Sequence, residues 1–132
     1  MPNKIISYKD LDVYQRSYNA CVLLISNLLP ALPKVEQYDL CDQLRRSSKA
    51  IPRLIAEGYG KKNQKKGFQK YLDDCISETN ETVVGLEQSR DLYRNFINEE
   101  LVNKLLNEYS IIGKQLYRLR QSWQSLRPNP AS

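Results

Sequence analysis

Apolar residues recur along this chain at steps of three and four, the spacing that lines one face of an α-helix, and alternation of period two is almost absent. A first helix is predicted over about residues 10–30, with Asp10 as its N-cap and Leu11, Tyr14, Tyr18, Cys21, Ile25 and Leu28 as the inward stripe. Tyr8, just before the cap, is placed to fold back on the first turn as a staple, and Pro30 and Pro33 stop the helix. A second helix is expected over about residues 36–58, with Leu40, Leu44, Ile51 and Ile55 inward and small Ser47 among them. Pro52 falls inside this pattern, where a proline costs about 3 kcal/mol in a regular helix, so the helix either kinks there or breaks and restarts. Gly58-Tyr59-Gly60 is read as its end, glycine reaching the left-handed C-terminal conformation without strain.

A third helix over about residues 64–94 would turn Phe68, Tyr71, Leu72, Cys75, Thr79, Thr82, Leu86 and Tyr93 inward. Its polar middle (Ser77 to Thr82) marks it as the helix expected to carry a second contact surface. Asn98 is the expected cap of a fourth helix over 98–126, with Glu99 and Glu100 well placed against the helix dipole. Its stripe is the most regular of the four: Leu105, Tyr109, Ile112, Leu116, Leu119, Trp123 and Leu126. Residues 127–132, with Pro128 and Pro130, are read as a loose tail. Four such helices with short links predict an all-α fold, an antiparallel up-down four-helix bundle in a single domain over residues 1–132. Val13, Val22, Leu24, Val102 and Ile111 lie off the stripes, as scattered surface residues or, together, as a patch for self-association.

Composition narrows the chemistry. The 132 residues contain no histidine, the commonest general base and metal ligand. Cys21, Cys41 and Cys75 are odd in number and widely spaced, so they read as reduced, buried thiols, with no metal site or cofactor expected. The longest apolar region, residues 21–32, is interrupted by Ser26, Asn27 and Pro30, too short and too polar to span a bilayer. The opening residues lack the pattern of a signal peptide, and a cytoplasmic protein is expected.

Charge changes the picture more than composition does. The net charge is +5, yet residues 43–70 hold nine basic side chains (Arg45, Arg46, Lys49, Arg53, Lys61, Lys62, Lys65, Lys66 and Lys70) against Glu57 alone. Residues 71–100, by contrast, carry eight acids and two bases. Such a basic concentration favours a polyanion, a nucleic acid or an acidic protein face, unless the acids of a neighbouring helix or subunit answer it. Arg45, Lys49 and Arg53 stand four apart and would form one ridge, which the four loop lysines extend; Arg46 lies about 100° round. Glu57, between Arg53 and Lys61, reads as a structural ion-pair partner. Arg45 or Arg46 could equally be a buried partner for Glu78 or Glu81. A catalytic pairing of Glu57 with Glu81 has no nucleophile or metal set to accompany it. Gly58 and Gly60 lack phosphate-loop spacing.

The string Gln43-Leu-Arg-Arg-Ser-Ser-Lys-Ala-Ile-Pro-Arg-Leu-Ile-Ala-Glu-Gly-Tyr-Gly-Lys-Lys62 resembles the signature of the 23S rRNA intervening-sequence protein family, also called the S23 or four-helix-bundle protein family. Tyr8-Lys9-Asp10-Leu11-Asp12-Val13-Tyr14-Gln15 is similar to the family's opening, and Phe68, Tyr71, Leu72 and Glu81 match its third helix, so the resemblance covers residues 8–126. Leu54 stands where the family usually has Asn, Ala50 where Ser is common and Ser77 where a small Gly is frequent, so no polar role of that Asn carries over. The resemblance implies a ring-like homopentamer without catalytic activity. It also implies kinship with accessory proteins that serve the reverse transcriptases of diversity-generating retroelements, binding both enzyme and nucleic acid through a basic surface.

Residues and resemblance together lead to the expectation of a non-enzymatic, oligomeric accessory protein. Its partners would be nucleic acid (RNA or RNA/DNA, met mainly at the backbone), other copies of itself and a reverse transcriptase or rRNA-associated element. The alternative is a protein-interaction scaffold whose basic ridge grips an acidic partner without nucleic acid.

Overall fold

Helical periodicity becomes four long helices in the computed structural model, which describes residues 4–126, with side chains through residue 123. They are α1 (Asp12–Leu23), α2 (Leu40–Gly60), α3 (Gly67–Leu92) and α4 (Glu99–Leu126), and no strand occurs among the described residues. The most extensive packing is α2 on α3 and α3 on α4, and α1 closes the circuit against α2 and α4, which makes a four-helix bundle. The core runs from Leu28, Leu44 and Leu86 at one end to Ile55, Phe68 and Leu116 at the other, all essentially without exposure. No helix among the described residues is long and apolar enough to cross a membrane. The expected tail over 127–132 and the Leu126 side chain lie outside the described residues.

The first helix departs most from its expected form. Asp10 does not cap α1. It sits in a short 3-10 turn (Tyr8–Asp10) where its carboxylate accepts the Ile6 and Ser7 amides, a capping box opened by Ser7. Tyr8 does fold back, its ring edge-on to Tyr14 at 4.9 Å between centroids. The buried face of α1 is Val13, Ser17, Ala20 and Cys21, continued by Leu24 and Leu28 in a π-helical turn (Leu24–Leu28), while Tyr18 is 52% exposed. Small Ser17 and Ala20 let α1 lie close to its neighbours, and the wide turn admits one extra residue, so Leu24 and Leu28 both reach the core. Of the off-stripe residues, Val13, Leu24 and Val102 are therefore core rather than surface, and Val22 is half-exposed.

The second helix is unbroken across Pro52, which is itself buried and leaves the Ser48 carbonyl without its usual amide partner. Its first turn is secured by Glu36, whose carboxylate accepts the Leu40 amide at 3.2 Å and the Tyr93 hydroxyl. Gly58 and Gly60 do not reach left-handed geometry, and the helix runs through both. Gly58 is needed for closeness instead: a Cβ there would stand 2.6 Å from Tyr71 Cβ and 3.0 Å from Phe68 Cδ1. The left-handed residue is Lys66, at φ 58°, just before α3. The inward stripes of α3 and α4 lie where periodicity puts them, with Gly85 and Ser89 added, and Asn98 Oδ1 accepts the Leu101 amide at 3.2 Å.

Candidate nucleic-acid interface

Five of the nine cations of residues 43–70 belong to the turn between α2 and α3 and to the start of α3. The turn is a run of tight backbone bonds: the Lys61 amide to Gly58 O at 3.0 Å, Lys62 to Tyr59 O at 3.1 Å, Gln64 to Lys61 O at 3.0 Å and Gly67 to Gln64 O at 3.0 Å. Beneath it, Tyr59, Phe68 and Trp123 pack edge to face, at 6.0 and 5.0 Å between successive centroids. Lys62 Nζ lies 4.2 Å from the centre of the Tyr59 ring, and Lys61 Nζ donates to Tyr71 Oη at 3.0 Å, which holds its ammonium in the charged form. Lys65, Lys66 and Lys70 are exposed.

On α2 the ridge exists, with a difference. Lys49 and Arg53 are exposed and Arg45 is half-buried. Arg46 belongs elsewhere: it pairs with Asp42 one turn back, at 3.7 Å, and lines a cleft between α2 and α3 with Glu78 and Glu81. Partial burial and repulsion from Glu81 push the Glu78 carboxyl above its ordinary range. The ion pairs expected of Glu57 and Glu81 do not form among the described residues. Glu57 is exposed and, although one turn from Arg53 on the same helix, forms no ion pair with it among the described residues, and Glu81 meets Glu78 rather than an arginine. Nor is either arginine a buried partner of α3 acids: the Arg46 side chain is 79% exposed, and the half-buried Arg45 makes no ion pair among the described residues. Among the described residues, then, Arg46 is the one cation of the nine in an ion pair, and that pair lies within its own helix.

Three acids of α3 and α4 are engaged with cations outside residues 43–70: Asp73 holds Arg120, Asp91 meets Arg90 and Arg94, and Glu108 shares Arg16 with Asp12 of α1, at 3.0 and 2.8 Å. Charge is thus segregated, with free cations along α2 and its following turn and carboxylates across α3. All three cysteines are free and buried, and burial pushes the Cys75 thiol up to about 12.

Sequence reasoning missed the aromatic half of this surface. Tyr8, Tyr14 and Tyr18, taken as a staple and core stripe, line a groove of about 530 Å³ between α1 and α2 whose opposite side includes Lys49, Pro52 and Arg53. The available signal was the smaller stripe Val13-Ser17-Ala20-Leu24, which satisfies helical period equally well and leaves the tyrosines outside it. Burial beside Tyr8 and Tyr18 pushes the Tyr14 phenol up, so its ring stays neutral.

A family model described as 23S rRNA-intervening sequence protein matches residues 9–118. No curated protein matches the chain.

Proposed function

The chain belongs to the 23S rRNA-intervening sequence protein family, and from that membership and the uncovered cations of α2 we propose that it is a non-enzymatic nucleic-acid-binding accessory protein. The observation that carries this reading is that eight of the nine cations in residues 43–70, all but Arg46, make no ion pair among the described residues. Ammonium and guanidinium groups that no carboxylate holds in an ion pair gain most from phosphates, whose condensed counterions are released on contact. Nothing in the sequence resembles the base-reading helix of a DNA-binding module, so backbone charge and strand shape lead the recognition, as is common for RNA.

Lys66 supports the same reading. A left-handed, non-glycine residue costs stability, and a cation at a helix N-terminus opposes the macrodipole. A position that is poor for the fold on both counts is suited to meeting an external anion.

The proposal extends to a homo-oligomer, a pentameric ring in the family resemblance, which would repeat the basic face and raise avidity. It extends also to a reverse transcriptase or rRNA-associated element as the machine served, and to the cytoplasm, where three unpaired thiols are stable.

The test is a gel shift with structured RNA across a salt series. Binding at low salt that falls steeply as salt rises is expected; absence of binding at low salt overturns the proposal. A partner protein retained after nuclease digestion, with no RNA bound, would assign the ridge to an acidic protein face instead. Light scattering gives the oligomer mass, and a clean monomer removes the avidity argument.

A further inference from the structure

The groove between α1 and α2 differs from the lysine turn in kind. Its wall is apolar and aromatic: Tyr8 edge-on to Tyr14 at 4.9 Å, and Tyr14 tilted 37° to Tyr18 with centroids 6.0 Å apart, over a floor that includes Pro52. Tyr18 is 52% exposed, a large share for an aromatic ring set beside another. Lys49 and Arg53 stand on the opposite side, one helical turn apart, exposed and in no ion pair among the described residues. Flat aromatic surface inside and unanswered cations at the edge are the two things an unpaired nucleotide requires, a platform for its base and a counter-charge for its phosphate.

We propose that this groove takes an unpaired base of a single-stranded nucleic acid, stacked against Tyr18 and Tyr14, with the flanking phosphates on Lys49 and Arg53. A duplex keeps its bases stacked on each other and cannot supply one to the groove. The rise of α2 sets Lys49 about 18 Å from Lys61, so one short strand can span the groove and the lysine turn. Sequence preference would be weak, because every base has a flat face to stack.

This inference rests on the proposed nucleic-acid binding, and its test separates the two. A fluorescently labelled single-stranded RNA, its duplex, and an abasic strand of the same length and charge are titrated with the wild-type protein and with Tyr18→Ala. Tyr18→Leu is carried alongside to keep the apolar bulk, and helicity and mass are measured for each. Wild type should bind the single strand about tenfold more tightly than the abasic strand. Tyr18→Ala and Tyr18→Leu should remove that difference while leaving duplex affinity and the salt slope unchanged. An abasic strand bound as tightly as the natural one, or a Tyr18→Ala protein with unaltered preference, overturns the groove assignment and leaves the lysine turn's role intact. A change in oligomer mass on Tyr18→Ala would assign the groove to contact between copies and overturn it as well. No binding of any strand at low salt removes both this inference and the function it rests on.

Discussion

Single residues in this protein show where fold and surface make opposing demands. Gly58 is fixed by packing: the added carbon in Gly58→Ala would meet the Cβ of Tyr71, which cannot swing away. The expected loss is about 1–3 kcal/mol, read as a lower denaturation midpoint with unchanged slope. Gly85→Ala should cost less, because its near neighbour at 2.6 Å is the Cδ2 end of the flexible Leu44 side chain, and alanine is the better helix former by about 1 kcal/mol. Lys66 reverses the relation. Lys66→Gly should raise stability by about 1 kcal/mol, since glycine meets φ 58° without strain, and should at the same time weaken RNA binding and flatten its salt dependence. A variant that loses stability, or gains affinity, would contradict the role given to Lys66.

Helices and their contacts carry the pH dependence. Across α1 and α4, hydrogen bonds from Gln115 and Arg16 hold the Asp12 carboxyl below its ordinary 3.8. A folded value below the unfolded one gives stability that is present above pH 3.8 and is lost as pH falls through the lowered value. Asp12 is more than half exposed, so Asp12→Asn should cost under about 1 kcal/mol at neutral pH. Glu78 on α3 has the opposite sign. Its carboxyl is raised above 4.5 by burial and by Glu81, so ionising it works against the fold, and stability is lost as pH rises through the raised value. Glu78→Gln should therefore stabilise by about 0.2–0.5 kcal/mol at pH 7, and the gain should vanish well below pH 4.5. Urea denaturation of the variant and wild type at the two pH values checks it. An equal gain at both would point to packing rather than charge.

At the scale of the whole molecule, binding strength should track the number of free cations rather than any one of them. Lys65→Gln with Lys66→Gln should lower the slope of log affinity against log salt by about 1.4 for a single strand. Arg46→Gln, whose guanidinium is paired with Asp42, should leave it nearly unchanged. A slope lowered equally by both would mean that charge acts diffusely, without the turn as its focus.

Much of this architecture was legible in the chain, for reasons that particular residues show. The regular stripe on α4 allows one face only, so Leu105, Tyr109, Ile112 and Leu116 are buried as periodicity requires. The block of cations in residues 43–70 has too few local acids to be neutralised nearby, so most of its charge had to point outward or find another helix. The first helix was ambiguous because two stripes of equal period compete on it, one bulky and aromatic, the other small. Bulk suggested Tyr14 and Tyr18 as core; close approach of α1 to its neighbours selected Ser17 and Ala20.

Helical period, apolar spacing and local charge count are properties of neighbours in sequence, and they determined by themselves the number of helices, most of their inward faces and the cationic character of residues 43–70. Which face of α1 is buried, that Pro52 leaves α2 unbroken and that Gly58 serves close packing depend on atoms far apart in the chain. Only tertiary packing decided these, because contact distance between helices chooses among faces that periodicity alone leaves equivalent. The meeting of Tyr8, Tyr14 and Tyr18 with Lys49 and Arg53 is of the same kind: two amphipathic helices each left part of a surface, and their packing made it one groove.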